Sequence, residues 1–233
     1  MPFEAILFDM DGVITDTHQA VTEFWHRWAA LHRLELSQSD FHQHIYGCPA
    51  TYTLDVFFAH LAPAERQAII ADMVEYEINQ TYTAVKGVIA FLEALSRLDF
   101  PTALVTSGEH WKVNAVLKQL KLEGMFKVII TVADIRQGKP HPDCYLLAAS
   151  RLQKAPQQCL VFEDALSGVK AAVAAGTCCI GVQPHASDPL RQAGARYIIP
   201  DFRAVTLQAG ANSANTLQLL LGSATSLVLQ RSL

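Results

Sequence analysis

Residues 6–17 read ILFDMDGVITDT. Ile6, Leu7 and Phe8 form the end of an apolar run that starts at Ala5, and the run stops abruptly at Asp9 and Asp11. A short, continuous apolar segment of this kind fits a strand buried on both faces, as in a parallel sheet. Ligands of open α/β sheets gather beyond the carboxyl ends of the strands, which is where Asp9 would lie. Strand alternation would send Asp9 and Asp11 to the same side. Two carboxylates one residue apart at that edge need a chemical reason or a turn.

Further segments share the pattern: Ala103–Val105, Val128–Thr131, Leu160–Phe162, Cys178–Val182 and Tyr197–Ile199. Helical patterns separate them, among them Val113–Leu120, Asp143–Leu152 and Gly168–Ala175. The alternation predicts an α/β fold with a doubly wound, Rossmann-like parallel sheet. From residue 17 to residue 86 no strand pattern is found, and helices are expected over Val21–Leu31, Thr53–Leu61 and Glu65–Tyr82. The expected organisation is a discontinuous core of residues 1–16 and 87–203, interrupted by an all-helical cap subdomain over 17–86. Residues 204–233, nearly uncharged and rich in Ala, Leu, Ser and Gln, form an extension that the pattern leaves unassigned.

Composition narrows the function classes. The 233 residues are 51% hydrophobic and 17% charged, the balance of a globular chain with a sizeable core. A net charge of −4 offers no basic footprint for nucleic acid or an anionic membrane surface. No apolar stretch reaches the length of a membrane span, and acidic residues at 4, 9 and 11 interrupt any leader-like segment. Five cysteines without zinc-type spacing read as reduced, buried thiols, and the chain is expected to be cytoplasmic.

Polar residues follow three other predicted strands. LVTSG (104–108) ends one strand in Thr106, Ser107 and Gly108, groups that can donate to an anion but also form ordinary turns. GKPHPD (138–143) places Lys139 between Gly138 and Pro140, where a surface lysine would also be unremarkable. LVFEDALSG (160–168) ends an apolar strand in Glu163 and Asp164, which packing does not explain. Four carboxylates on one sheet edge carry too much negative charge to ionise together without a cation. Hard oxygen ligands suit Mg²⁺. A carboxylate nucleophile, a metal and a lysine together make a site for phosphoryl transfer.

FDMDGVITD (8–16), VTSG (105–108), GKPHPD (138–143) and VFEDALSGVKAAVAAG (161–176) resemble, in order and spacing, the four motifs of the haloacid dehalogenase-like hydrolases. Over residues 1–200 the chain is most similar to their phosphatase and β-phosphoglucomutase group, which carries a helical cap after the first motif. The resemblance implies Asp9 as the nucleophile that becomes an aspartyl-phosphate and Asp11 as the acid/base. It also implies that Thr106 and Lys139 hold the phosphoryl group, within a phosphate site of Asp9, Met10, Asp11, Thr106, Ser107, Gly108 and Lys139. Mg²⁺ would be held by Asp9, the Asp11 carbonyl and Asp164, with Glu163 as ligand or outer partner.

Departures from the family's other chemistries select among activities. The dehalogenases lack the second aspartate, present here as Asp11. The phosphonatases use a cap lysine, and residues 18–85 contain none. A sugar phosphomutase grips a second phosphate through a cap arginine and a Ser-Lys-Asn run. Here IYGCPAT (45–51) places Ala50 at the arginine position, and Gly108, Glu109 and His110 replace the run. The favoured expectation is a Mg²⁺-dependent phosphomonoester hydrolase acting on a small phosphorylated metabolite, a sugar or polyol monophosphate. A β-phosphoglucomutase-like mutase and a non-catalytic binding module on the same fold are the alternatives. Thr17, His18, Tyr46, Gly47 and Glu109 are the residues expected to touch the leaving group. Three arginines against eight acids make the cap acidic.

Overall fold

The computed structural model describes residues 2–183, 188–209, 215–222 and 225–231. Strand β1 (Ala5–Phe8) is buried at all four positions and pairs on both sides in parallel, with β2 (Thr102–Val105) and β4 (Cys159–Glu163). The six-stranded sheet runs β3-β2-β1-β4-β5-β6, adding β3 (Val128–Ile130), β5 (Cys178–Val182) and β6 (Tyr197–Ile199). Each expected strand is present, with ends moved by a residue or less. The α/β, doubly wound class follows from this order.

Period-two alternation divides each strand between two cores. Ile6, Phe8, Leu104, Leu160 and Phe162 face one side, and Ala5, Leu7, Ala103, Cys159 and Val161 the other. The first side takes the large rings: Phe8 stacks on Phe162 at 5.3 Å, and Phe91 and Phe202 pack around them. Helices α5 (Val88–Arg97) and α6 (His110–Leu120) cover this side. The second side is lined with small residues, which let α7 (Asp143–Arg151), α8 (Leu166–Ala174) and the short α9 (Asp188–Gln192) approach.

Between β1 and α5 lie α1 (His18–Leu31), α2 (Gln38–Asp40) continuing into a π turn over Phe41–Ile45, α3 (Ala50–Phe57) and α4 (Pro63–Ile78). They bury a separate cluster that includes Phe24, Trp25, Phe41, Leu54 and Phe58. The chain enters and leaves this insert through two paired segments: Thr15 bridges Ala84, and the Asp16 amide donates to the Thr83 carbonyl at 2.8 Å. Helical boundaries in the insert differ from expectation: α1 starts three residues earlier, at His18, and α4 ends four residues earlier, at Ile78. Helix α3 starts directly after Pro49 and stops at Phe57, and Pro63 opens α4 in the first turn, where its missing N–H costs nothing. The α2 segment was not expected, although Ser37 and Asp40 cap each other's backbone there, a pattern visible in the sequence as Ser-x-x-Asp.

The unassigned extension forms an antiparallel sheet of β7 (Val205–Ala209), β8 (Thr216–Leu221) and β9 (Thr225–Gln230). Leu217, Leu219, Leu221 and Leu229 point inward and join the aromatic core. Phe3 pairs with β9, its amide donating to Val228 at 2.8 Å, so the two ends of the chain are stitched together. No helix among the described residues is long and apolar enough to cross a membrane.

Candidate active site

The carboxyl ends of β1, β2 and β4 meet at one edge because the three strands are adjacent and parallel. Asp9 extends β1, its amide donating to the Phe162 carbonyl at 3.0 Å. Lys139 reaches in from the loop before α7, and its ammonium donates to Asp9 Oδ1 at 2.5 Å, to Glu163 Oε1 at 2.6 Å and more weakly to the Val105 carbonyl. The lysine side chain is 1% exposed, which makes it a built element of the interior and not a solvated loop residue.

Glu163 is fully engaged. Its Oε1 accepts from Lys139 and from the Tyr145 hydroxyl at 2.8 Å, and its Oε2 accepts from the amides of Asp164 (2.9 Å) and Ala165 (3.1 Å). Gly168 makes room for it, since a Cβ there would lie 1.7 Å from Glu163 Oε1. Asp164 pairs through Oδ2 with His18 Nε2 at 2.6 Å, while its Oδ1 is buried with no hydrogen-bond partner. Gly12, with φ +76°, turns the chain past this group, and a Cβ would come within 2.1 Å of Asp164 Oδ2.

Burial governs the electrostatics. It pushes the Asp9 carboxyl well above the usual range; Lys139 pulls the other way, and Glu163 and Asp164 add to the rise. Burial also raises Asp164, against the pull of His18. It works against the charge on Lys139, but Asp9 and Glu163 outweigh it and hold the ammonium well above the ordinary lysine range. Burial similarly opposes protonation of His18, and Asp164, with Asp16 and Asp11 beyond it, more than compensates. Ligand oxygens of Asp9, Glu163 and Asp164 lie within 4.8 Å of one another. Three carboxylates facing one lysine, with the Asp164 Oδ1 orphan among them, suit a hard divalent cation that would share the excess charge.

Asp11 is arranged otherwise. The chain leaves the strand at Met10, whose carbonyl accepts from the amides of Ile14 and Thr15, so strand alternation no longer applies. The Asp11 carboxylate accepts from the Thr17 hydroxyl at 2.9 Å and from the Lys112 ammonium at 3.1 Å, and stands outside the Asp9–Glu163–Asp164 cluster. Lys112 also donates to Glu77 Oε1 at 2.7 Å. Neither Lys112, Glu77 nor Tyr145 stood out in the sequence. The available signal was a lysine on the buried stripe of α6, beside Val113, Val116 and Leu117.

The remaining expected residues divide between the site and its margins. Thr106 is buried and its Oγ1 accepts from the Gly108 amide at 2.9 Å, leaving the hydroxyl proton free to donate. The Ser107 hydroxyl donates to the Gly47 carbonyl at 3.2 Å, a contact between the loop after β2 and the helical insert. The Met10 side chain is fully buried, so only its backbone can serve a ligand. His18 is bound to Asp164 and packs on Tyr46 at 4.4 Å, and Tyr46 in turn pairs with Thr22 at 2.7 Å. Glu109 stands at the N-cap position of α6, exposed and without a side-chain capping hydrogen bond. A cleft of about 1720 Å³ opens between insert and sheet; its lining includes Gly12, His18 and Lys139, Gln38, His42 and Tyr52 of the insert, and the charged Asp16, Lys86, Lys170, Asp201 and Arg203.

A sequence profile described as haloacid dehalogenase-like hydrolase matches residues 3–176. Hexitol phosphatase A of Escherichia coli is 36% identical over 81% of this chain and 87% of its own length. A phosphorylated carbohydrates phosphatase of Thermotoga maritima is 32% identical over 74% and 82%. The crystal structure of a putative β-phosphoglucomutase from Thermotoga maritima superposes with a TM-score of 0.64 at 30% identity, covering 84% of this chain and 94% of that one. The chain belongs to the haloacid dehalogenase-like hydrolases and is a phosphatase.

Proposed function

From that membership, we propose a Mg²⁺-dependent phosphomonoesterase that works through an aspartyl-phosphate on Asp9 and takes a sugar or polyol monophosphate. The observation that carries it is the buried Lys139 bridging Asp9 and Glu163, with the unpartnered Asp164 Oδ1 beside them. Asp9 Oδ attacks phosphorus in line, and the bond from phosphorus to the leaving oxygen breaks as Asp11 gives that oxygen a proton. Asp11 then takes a proton from water as the water attacks the same phosphorus. Inorganic phosphate leaves and the Asp9 carboxylate is restored. Lys139 and the Thr106 hydroxyl meet the phosphoryl oxygens, where negative charge spreads in the transition state. Glu163 acts through others: it fixes the lysine and the amides ahead of α8.

Mg²⁺ would be held by Asp9, the Asp11 carbonyl and Asp164, and supplies charge neutralisation at the phosphoryl oxygens when bound. Gln38, His42 and Tyr52 of the insert give the cleft hydrogen-bonding groups suited to a polyhydroxylated leaving group. Burial pulls the His42 imidazole below the ordinary histidine range, which favours its uncharged form there. The names of the relatives, hexitol and carbohydrate phosphatases, support the same substrate class.

The test is hydrolysis of nitrophenyl phosphate with and without Mg²⁺, followed by a panel of sugar and polyol monophosphates. Asp9→Asn, close in shape but unable to form the acyl-phosphate, should abolish turnover while leaving the melting curve of a folded protein. An Asp9→Asn variant that keeps most of its activity would overturn the mechanism, and rates indifferent to chelation would remove the metal.

A further inference from the structure

Lysine on the apolar stripe of a helix normally snorkels to water. Lys112 does not: its side chain is 8% exposed and runs inward beneath the loop after β2, where a Cβ on Gly108 would touch its Cδ at 3.5 Å. The ammonium ends between two carboxylates, Asp11 Oδ2 at 3.1 Å and Glu77 Oε1 at 2.7 Å. The second Asp11 oxygen is taken by the Thr17 hydroxyl at 2.9 Å. Both oxygens of Asp11 are therefore held, one from the sheet's own helix α6 and one from the first residue of the insert. Glu77 lies in the last turn of α4, just before the chain returns to the sheet.

Lys112 also borders a cavity of about 40 Å³ walled by Val21, Phe24, Tyr76 and Tyr82, room for water and nothing larger. A substrate group has no route to the ammonium through that cavity, and the lysine's direct contact with the reaction machinery is Asp11. A lysine that merely fastened the insert to the sheet would need Glu77 alone. Its second contact is the carboxylate to which proton transfer is assigned.

We infer that Lys112 is a positioning residue for Asp11: it fixes the carboxylate against Thr17 in the orientation from which protons are exchanged, and Glu77 makes that hold depend on the insert being seated on the sheet. The inference rests on the acid/base reading of Asp11. Misplacing a catalytic group by about 1 Å can cost about 100-fold in rate. Lys112→Met keeps the apolar stem and removes the donor; it should lower kcat for nitrophenyl phosphate by about 10- to 100-fold with KM moved by less than about 3-fold. Lys112→Arg should return most of the loss, and Lys112→Gln, which keeps one donor, should fall between.

The deciding measurement adds Lys112→Met to Asp11→Asn. Groups that act as a unit are not additive, so the double variant should lose no more than about 2-fold beyond Asp11→Asn alone. An equal fold loss in both backgrounds would show a general structural role and overturn the inference, as would a wild-type kcat in Lys112→Met. If Asp11→Asn itself turns over like the wild type, the acid/base reading falls and the inference with it. If Asp11→Asn loses activity and Lys112→Met keeps the wild-type kcat, the inference falls alone. Melting curves accompany each variant, and should Lys112→Met not fold, the ranking of Arg above Gln in the same cycle decides.

Discussion

Replacing Glu163 by glutamine probes how the site is held. The carboxylate is fully buried and accepts four hydrogen bonds, two at each oxygen. Glutamine keeps the shape but puts an NH₂ where one oxygen stood. Facing Lys139 and Tyr145, the amide meets an ammonium and a hydroxyl; facing α8, it meets two backbone N–H groups. The first orientation leaves the ammonium without that acceptor, since the hydroxyl can turn to accept from the amide, and the second leaves two N–H groups without theirs. Hydrogen bonds to a charged group contribute about 1.5–3 kcal/mol each, so the loss of one or two predicts a destabilisation of about 1.5–6 kcal/mol. Lys139 also loses one of its two countercharges in the interior, which adds to this figure. For a chain of this length each kcal/mol moves the melting temperature by about 2–4 °C, so Tm should drop by roughly 3–24 °C. Tyr145→Phe removes one of the four bonds and should cost about 1–2 kcal/mol. Guanidinium unfolding and thermal melts of wild type, both variants and the double variant measure this. The double variant should be less destabilised than the sum, because the tyrosine no longer faces a misplaced donor. A Glu163→Gln protein within about 1 kcal/mol of wild type would refute the reasoning, since the four bonds would then carry little of the site's stability.

Asp164→Ala should raise the Mg²⁺ concentration needed for half-maximal activity by at least about 10-fold, and an unchanged magnesium titration would remove Asp164 from the metal site. Leu219→Ala, in the middle of β8 and fully buried against the aromatic core, should cost about 2–5 kcal/mol in chemical denaturation; a smaller loss would mean that the C-terminal sheet is not part of the core. A hexose monophosphate should have a higher kcat/KM than its bisphosphate at fixed free Mg²⁺, because Ala50 and Gly108 provide no cradle for a second phosphate and the insert is acidic. The reverse preference would restore the mutase alternative.

The six parallel strands and the residues at their carboxyl edge were legible from local information alone. A buried strand needs a short apolar run, and a functional edge needs polar groups where the run stops; both are written within about ten residues at Asp9, Thr106 and Glu163–Asp164. Lys139 was legible only in company, as a lysine in a loop that gains meaning once the other edges are recognised. The C-terminal sheet was not legible, because Leu217 to Leu221 fit a helix or a strand equally well, and the choice is made by pairing with β7 and β9 and by Phe3 at the opposite end of the chain.

Where individual side chains turn is a different kind of information. Strand alternation predicts that Asp9 and Asp11 act side by side, yet the turn at Met10 sends the second carboxylate to Thr17 and Lys112. His18, expected to touch a leaving group, lines the cleft and pairs with Asp164 across 146 residues, and Lys112 reaches Asp11 across 101. Sequence determines which segments bury apolar surface, because that depends on each segment's own composition and period. Which buried charge finds which partner is decided only when distant segments are packed. An ammonium such as Lys112 takes whichever carboxylates the closed fold leaves within about 3 Å, a distance that no local pattern encodes.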